Sequence, residues 1–101
     1  MPEFMNPFIG LMPDHKLNDR ELGRALRLAL SAEEEAIHLY EALADASDNE
    51  LVNAVLQDIA NEEKVHVGEF QRLLKVLFSD EERWLTKGAA EVDDLEKSRK
   101  R

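Results

Sequence analysis

Asn61-Glu62-Glu63-Lys64-Val65-His66-Val67-Gly68-Glu69-Phe70 is the stretch on which the reading of this chain turns. It lies inside a longer segment whose apolar residues, Val52, Leu56, Ile59, Val67, Phe70, Leu74 and Leu77, recur at helical spacing and form one arc at 100° per residue. Glu63 falls in the centre of that arc, and His66 follows one turn later on the same side. An ionised carboxylate buried without a partner costs at least several kcal/mol, so an acid in a dry stripe needs something to neutralise it.

The segment before it repeats the problem. Asn18-Asp19-Arg20-Glu21 matches a capping box and opens a long first helix running to about Asp45. Its apolar arc is Leu22, Leu26, Ala29, Leu30, Ile37, Tyr40 and Ala44, with Glu33 at the centre. Ser47-Asp48-Asn49-Glu50 reads as a second capping box, which leaves a connection of a few residues and returns the second helix antiparallel, to about Phe78. Residues 18–78 are therefore expected to form a two-helix hairpin, with an extended arm over 1–17 carrying Pro7, Gly10 and Pro13. Ser79-Asp80-Glu81-Glu82 predicts a short third helix with Trp84, closed by Gly88 as a left-handed cap. A further turn or two follows over Ala89–Lys97, and the basic end Ser98-Arg99-Lys100-Arg101 is expected to fray.

Protonation, an Arg partner or access to water at the stripe edge would each account for one isolated buried Glu. Here the basic residues of both helices, Arg20, Arg24, Arg27, Lys64, Arg72 and Lys75, project mostly away from the stripes, which favours a bound cation. Glu63-Lys64-Val65-His66 is also a Glu-x-x-His pair, placing a carboxylate and an imidazole within reach of one metal. The spacing alone is weak: Glu35-Ala36-Ile37-His38 shares it but points roughly opposite to Glu33. Di-iron carboxylate bundles need one Glu from each of two helices and a Glu-x-x-His from each of the other two. This chain carries one of each, so two copies related by a two-fold axis would complete the set. A lone hairpin is in any case too small to bury its own stripes, and the additional apolar flank of Leu28, Ala32 and Leu39 leaves room for a larger assembly.

The remaining composition bounds the class. The 101 residues hold no cysteine and carry a formal net charge of −9, which excludes a disulfide scaffold or thiolate metal site and disfavours nucleic-acid binding. Apolar runs fall far short of the roughly 20 residues that span a bilayer, so no membrane partner is expected. Met1-Pro2-Glu3-Phe4 reads as a cloning remnant ahead of Met5.

With the hairpin and these residues in place, the sequence resembles the encapsulated ferritins, a two-helix branch of the ferritin-like superfamily. The resemblance rests on Ala32-Glu33-Glu34-Glu35-Ala36-Ile37-His38-Leu39-Tyr40-Glu41 and on the 61–70 stretch, and covers roughly Leu22 to Leu77. It implies an all-α hairpin that dimerises into a ferritin-like four-helix bundle. It further implies a ferroxidase centre at the dimer interface, with two irons held by Glu33, Glu63 and His66 of both chains. Glu63 would bridge, His66 would complete each shell and Glu33 would cap it. Tyr40 matches a tyrosine beside the family's site, although a core aromatic with a polar tip explains it equally well. Family members assemble as ring-shaped decamers inside an encapsulin shell, which implies a cytoplasmic nanocompartment as location and the shell protein as partner. The family's outer acidic cluster, through which metal enters, is only partly matched. Glu35 is retained, Ala32 and Leu39 replace an acid and a tryptophan, and Glu34 and His38 are candidates to compensate. A solvated acidic face is the plainer reading of those three residues. The chain ends without the Gly-Ser-Leu-type docking tail, as a tail-truncated cargo or the ferritin-like part of a shell fusion would.

The resemblance therefore implies oxidation of Fe(II) to Fe(III) by oxygen for iron storage and detoxification, at a ligand set suited to iron. The surplus of acids would concentrate cations. Two competing readings remain: a rubrerythrin-like di-iron peroxidase, and a non-catalytic helical dimerisation module in which the three groups form a buried polar network.

Overall fold

The computed structural model describes residues 14–100, and every regular element among them is helical. In order these are α1 (Asp19–Ala46), α2 (Glu50–Leu77), a 3-10 turn at Ser79–Glu81, and α3 (Glu82–Arg99). The expected all-α class is what the chain adopts. Of the expected N-terminal arm, residues 1–13 lie outside the described residues, and 14–17 are non-helical. No helix among the described residues is long and apolar enough to cross a membrane.

Residues 14–71 hold α1 and most of α2. The capping box at Asn18 forms as read: its side-chain oxygen accepts from the Glu21 N–H at 2.8 Å, and the Glu21 carboxylate accepts from the Asn18 N–H at 3.1 Å. Asp19 and Glu21 place negative charge where the helix dipole favours it. His15 joins this turn, with Nδ1 at 2.9 Å from Asp14 and Nε2 at 3.0 Å from Glu21. An imidazole facing carboxylates through both nitrogens donates twice only as imidazolium. Its hydrogen bonds to Asp14 and then Glu21 accordingly raise the His15 pKa above its usual value.

The second start differs from the reading. Ser47 is the extended residue that ends α1, and the cap of α2 is Asn49, whose side-chain oxygen accepts from the Val52 N–H at 3.0 Å. The Ser47 hydroxyl accepts from the Asn49 N–H instead, at 3.1 Å, and holds the corner. This corner reverses the chain, so Glu41 of α1 meets Gln57 and Lys64 of α2, while Glu33, nearer the start of α1, meets the later His66. The helices are antiparallel.

What this hairpin buries is small. Only Gly23, Ala44 and Ala60 are buried, and of the two apolar arcs the α1 residues Leu22 to Tyr40 are half-buried. On α2, Leu56, Ile59, Val67 and Phe70 are half-buried, whereas Leu51, Val52, Val55 and Val65 stand exposed, as do Leu39 and Leu43 on α1. A single chain thus closes one side of its stripes and leaves the other unpartnered.

Residues 72–100 contain the end of α2, the 3-10 turn and α3. Lys75 pairs with Glu82 across the turn at 3.4 Å, and the Phe78 carbonyl accepts from the Glu81 N–H. The third helix departs from expectation in length and in both ends. It runs 18 residues straight through Gly88, and its N-cap is Glu81, with no side-chain cap. Ser79 belongs to the 3-10 turn rather than to a capping box. Gly88 lacks a positive φ and has open space where a side chain would stand, so nothing there stops the helix. Nor does the basic end fray before Arg99: the Lys100 N–H bonds the Glu96 carbonyl, and its ammonium pairs with the Glu96 carboxylate at 3.4 Å.

Candidate metal centre

Three side chains from the two central stripes converge. The backbone register of α1 against α2 brings Glu33 opposite Glu63 and His66, and ligand atoms of all three lie within 4.8 Å of one another. His66 Nδ1 is 3.5 Å from the Glu63 carboxylate and 3.7 Å from that of Glu33. Those separations exceed a good N–H···O hydrogen bond, so the imidazole leaves most of the acceptor capacity of both carboxylates unused.

Exposure is graded across the trio: the Glu63 side chain is 19% exposed, Glu33 25% and His66 47%. The carboxylates are partly withdrawn from water with no Lys or Arg among the described residues paired to them, and the imidazole faces outward. Two carboxylates and an imidazole form a hard-to-borderline donor set that fits iron and other first-row dications. Donors bound to one metal at about 2.0–2.2 Å lie no more than about 4.2 Å apart, and the two separations from His66 Nδ1 already fall inside that limit. One chain supplies three donors, which is half of the carboxylate and histidine set of a di-iron centre.

The other expected residues are distributed differently. Tyr40 is half-buried on α1 and makes no hydrogen bond to the trio among the described residues. Glu34, Glu35 and His38 are all exposed. Among the described residues, Glu33, Glu63 and His66 form the one group of three such ligands, so the second Glu-x-x-His gathers no third donor.

One polar cluster went unread in the sequence. Glu41 Oε2 accepts from Lys64 Nζ at 2.9 Å and from Gln57 Nε2 at 3.1 Å, and Asn61 Oδ1 accepts from the same two donors at 3.3 and 3.1 Å. The hydrogen bonds from Lys64 and then Gln57 outweigh partial burial, and with the nearby His38 they hold the Glu41 carboxyl below its usual value. The available signal was the spacing Gln57, Asn61, Lys64, which sets three polar side chains on one edge of α2.

Comparison with known proteins agrees with this architecture. The Rubrerythrin family model matches residues 24–100. The chain belongs to the rubrerythrin family, whose members are ferritin-like helical proteins. Within it, the similarity is to encapsulated ferritins. The chain is 46% identical over 74 residues to the Encapsulin nanocompartment cargo protein EncC of Myxococcus xanthus, covering 73% of this chain and 55% of that protein. It is 45% identical over 82 residues to the Ferritin-like-encapsulin shell fusion protein of Pyrococcus furiosus, covering 81% of this chain and 24% of the fusion. The chain thus spans about half the cargo protein and a quarter of the fusion. The crystal structure of the encapsulated ferritin domain from Pyrococcus furiosus superposes with a TM-score of 0.81 at 42% identity, over 92% of this chain and 94% of that one.

Proposed function

We propose that this protein is a ferroxidase whose di-iron centre forms between two copies of the chain, each giving Glu33, Glu63 and His66. The observation that carries the reading is the convergence of these three side chains, from both helices of the hairpin, with the imidazole turned outward. Fe(II) is the substrate and oxygen the oxidant. Two ferrous ions held side by side supply two electrons together, which a single ion cannot.

The chain's residues divide the work by chemistry. Glu63, the less exposed carboxylate, has two oxygens and would be the one to bridge the two ions, with its own His66 one turn on beside it. Glu33 offers a terminal carboxylate from the opposite helix. His66 presents Nδ1, a neutral donor that adds no further negative charge when it ligates. Partial withdrawal from water strengthens the attraction of both carboxylates for a dication. Tyr40, on the same stripe, is proposed to hydrogen-bond a ligand at the completed site, and Glu34, Glu35 and His38 to attract metal toward it. The relatives named as encapsulin cargo and shell fusion support action inside an encapsulin compartment; a cytoplasmic location and assembly as a ring-shaped decamer are proposed with it from the family resemblance.

Anaerobic Fe(II) titration followed by oxygen tests this directly, with the oligomeric state followed throughout. Two irons per two chains are expected, with oxidation lost in Glu33→Ala, Glu63→Ala and His66→Ala. Wild-type rates in all three variants would sink the proposal. The rubrerythrin match gives weight to a second reading in which peroxide is the oxidant; faster turnover with peroxide than with oxygen would establish it.

A further inference from the structure

Glu41 stands two turns beyond Glu33 on α1 and touches none of the three candidate ligands. Its oxygen Oε2 nevertheless grips α2 at two points. Gln57 and Lys64 lie seven residues apart, about 10.5 Å of helix rise, and their side chains, rooted on either side of Asn61, both reach that oxygen. Asn61, between them, accepts from both and closes the ring. Sliding α1 along α2 either way must therefore stretch one of the two bonds to Glu41.

The corner at 47–49 ties the two helices at one end and half-buried arc side chains line them, but the buried positions themselves are small. The hairpin's fully buried side chain is Ala60, and Ala44 is close to it in burial; such small residues offer no interlocking knobs. A slip of one helical turn, about 5.4 Å, would carry Glu33 beyond reach of Glu63 and His66. We infer that Glu41, with Lys64 and Gln57, is a positioning residue that sets the α1/α2 register on which the Glu33–Glu63–His66 site depends. The inference rests on reading that trio as a metal site, yet the register itself is measurable without metal.

The chain has no cysteine, so Ser31→Cys with Glu69→Cys provides two exposed spin-label positions, one on each helix and outside both clusters. Glu41→Lys sets like charges face to face, and the exchange Glu41→Lys with Lys64→Glu restores an attractive pair. Distances between the labels in the metal-free full-length chain should shift or broaden by several ångströms in Glu41→Lys and return in the exchange. In parallel, Co(II) affinity should fall about tenfold in Glu41→Lys, with altered ligand-field bands, and recover in the exchange. Should Glu41→Lys lose helix content, Glu41→Gln, which keeps the side-chain size, is expected to broaden the same distances. An unchanged distance distribution in the folded variants, or no recovery in the exchange, overturns the inference. Wild type that fails to bind Co(II) or Fe(II) overturns the metal reading instead, and the label distances still decide the register.

Discussion

Two Glu-x-x-His pairs occur in this chain at identical spacing, and among the described residues only one of them meets a third side chain able to ligate. Glu63 and His66 on α2 meet Glu33 from α1, whereas Glu35 and His38 on α1 are exposed and gather no third ligand. Both pairs satisfy the geometry that lets one helical face offer two donors. What separates them is the surface they occupy. The α2 pair stands on the stripe that faces the neighbouring helix, so packing brings another carboxylate to it, while the α1 pair faces water, where no element delivers a partner. A ligand motif becomes a site through the tertiary contact that completes it.

The comparison breaks most sharply through the ligands themselves. Glu63→Ala or His66→Ala should lower Fe(II) affinity at least a hundredfold in anaerobic calorimetry, whereas Glu35→Ala and His38→Ala leave stoichiometry and affinity within about twofold. Equal losses from both pairs would show that the exposed pair also ligates. Next in size is an insult to the contact that delivers Glu33. Ala60→Leu places three extra carbons in a fully buried position and should cost about 1–3 kcal/mol in denaturant unfolding. Metal binding should weaken with it, while the helix content of α1, which carries the exposed pair, stays unchanged.

Helix starts offer a milder version of the same contrast. Asn18→Ala removes a working cap and should cost about 1 kcal/mol, and Ser79→Ala, which removes no cap, should stay within about 0.5 kcal/mol. The smallest effects are in pH. Glu41's lowered pKa means its stabilising contribution is present above the ordinary carboxylate value of 4.5 and is lost as pH falls through the folded value. The raised pKa of His15 acts oppositely: its contribution is complete below 6.5 and is lost as pH rises through the folded value. Glu21, lowered first by the Asn18 N–H and then by His15, behaves like Glu41. Side-chain NMR titrations should therefore find the α1 start tightest between the two ranges, and His15 should titrate nearer its ordinary value in Glu21→Gln.

The hairpin and the trio were legible because they follow from periodicity. Apolar residues every three or four positions fix which face turns inward, and Glu33, Glu63 and His66 stand out as the polar exceptions on those faces. Helix ends were less legible, since a Ser-x-x-Glu pattern states only that a cap is possible. At Ser47 the role passes two residues on to Asn49; at Ser79 a 3-10 turn intervenes. Gly88 reads as a stop by type, yet the flanking Ala89, Ala90, Glu91 and Leu95 favour continuation, and the helix passes through at the modest cost of one glycine. The Glu41 ring escaped notice because it joins residues 16 and 23 positions apart, a distance at which sequence pattern carries no register.

The scarcity of buried side chains in the hairpin has a consequence for how its stability is measured. If the core is completed by a second copy, folding is a bimolecular reaction, and the melting temperature of the metal-free protein should climb with total concentration. Dilution and chelation then act on one equilibrium from two directions. With the centre shared between chains as proposed, ferrous ion and a second chain would be each other's effectors: loading the site should slow subunit exchange, and concentrating the protein should tighten its hold on iron.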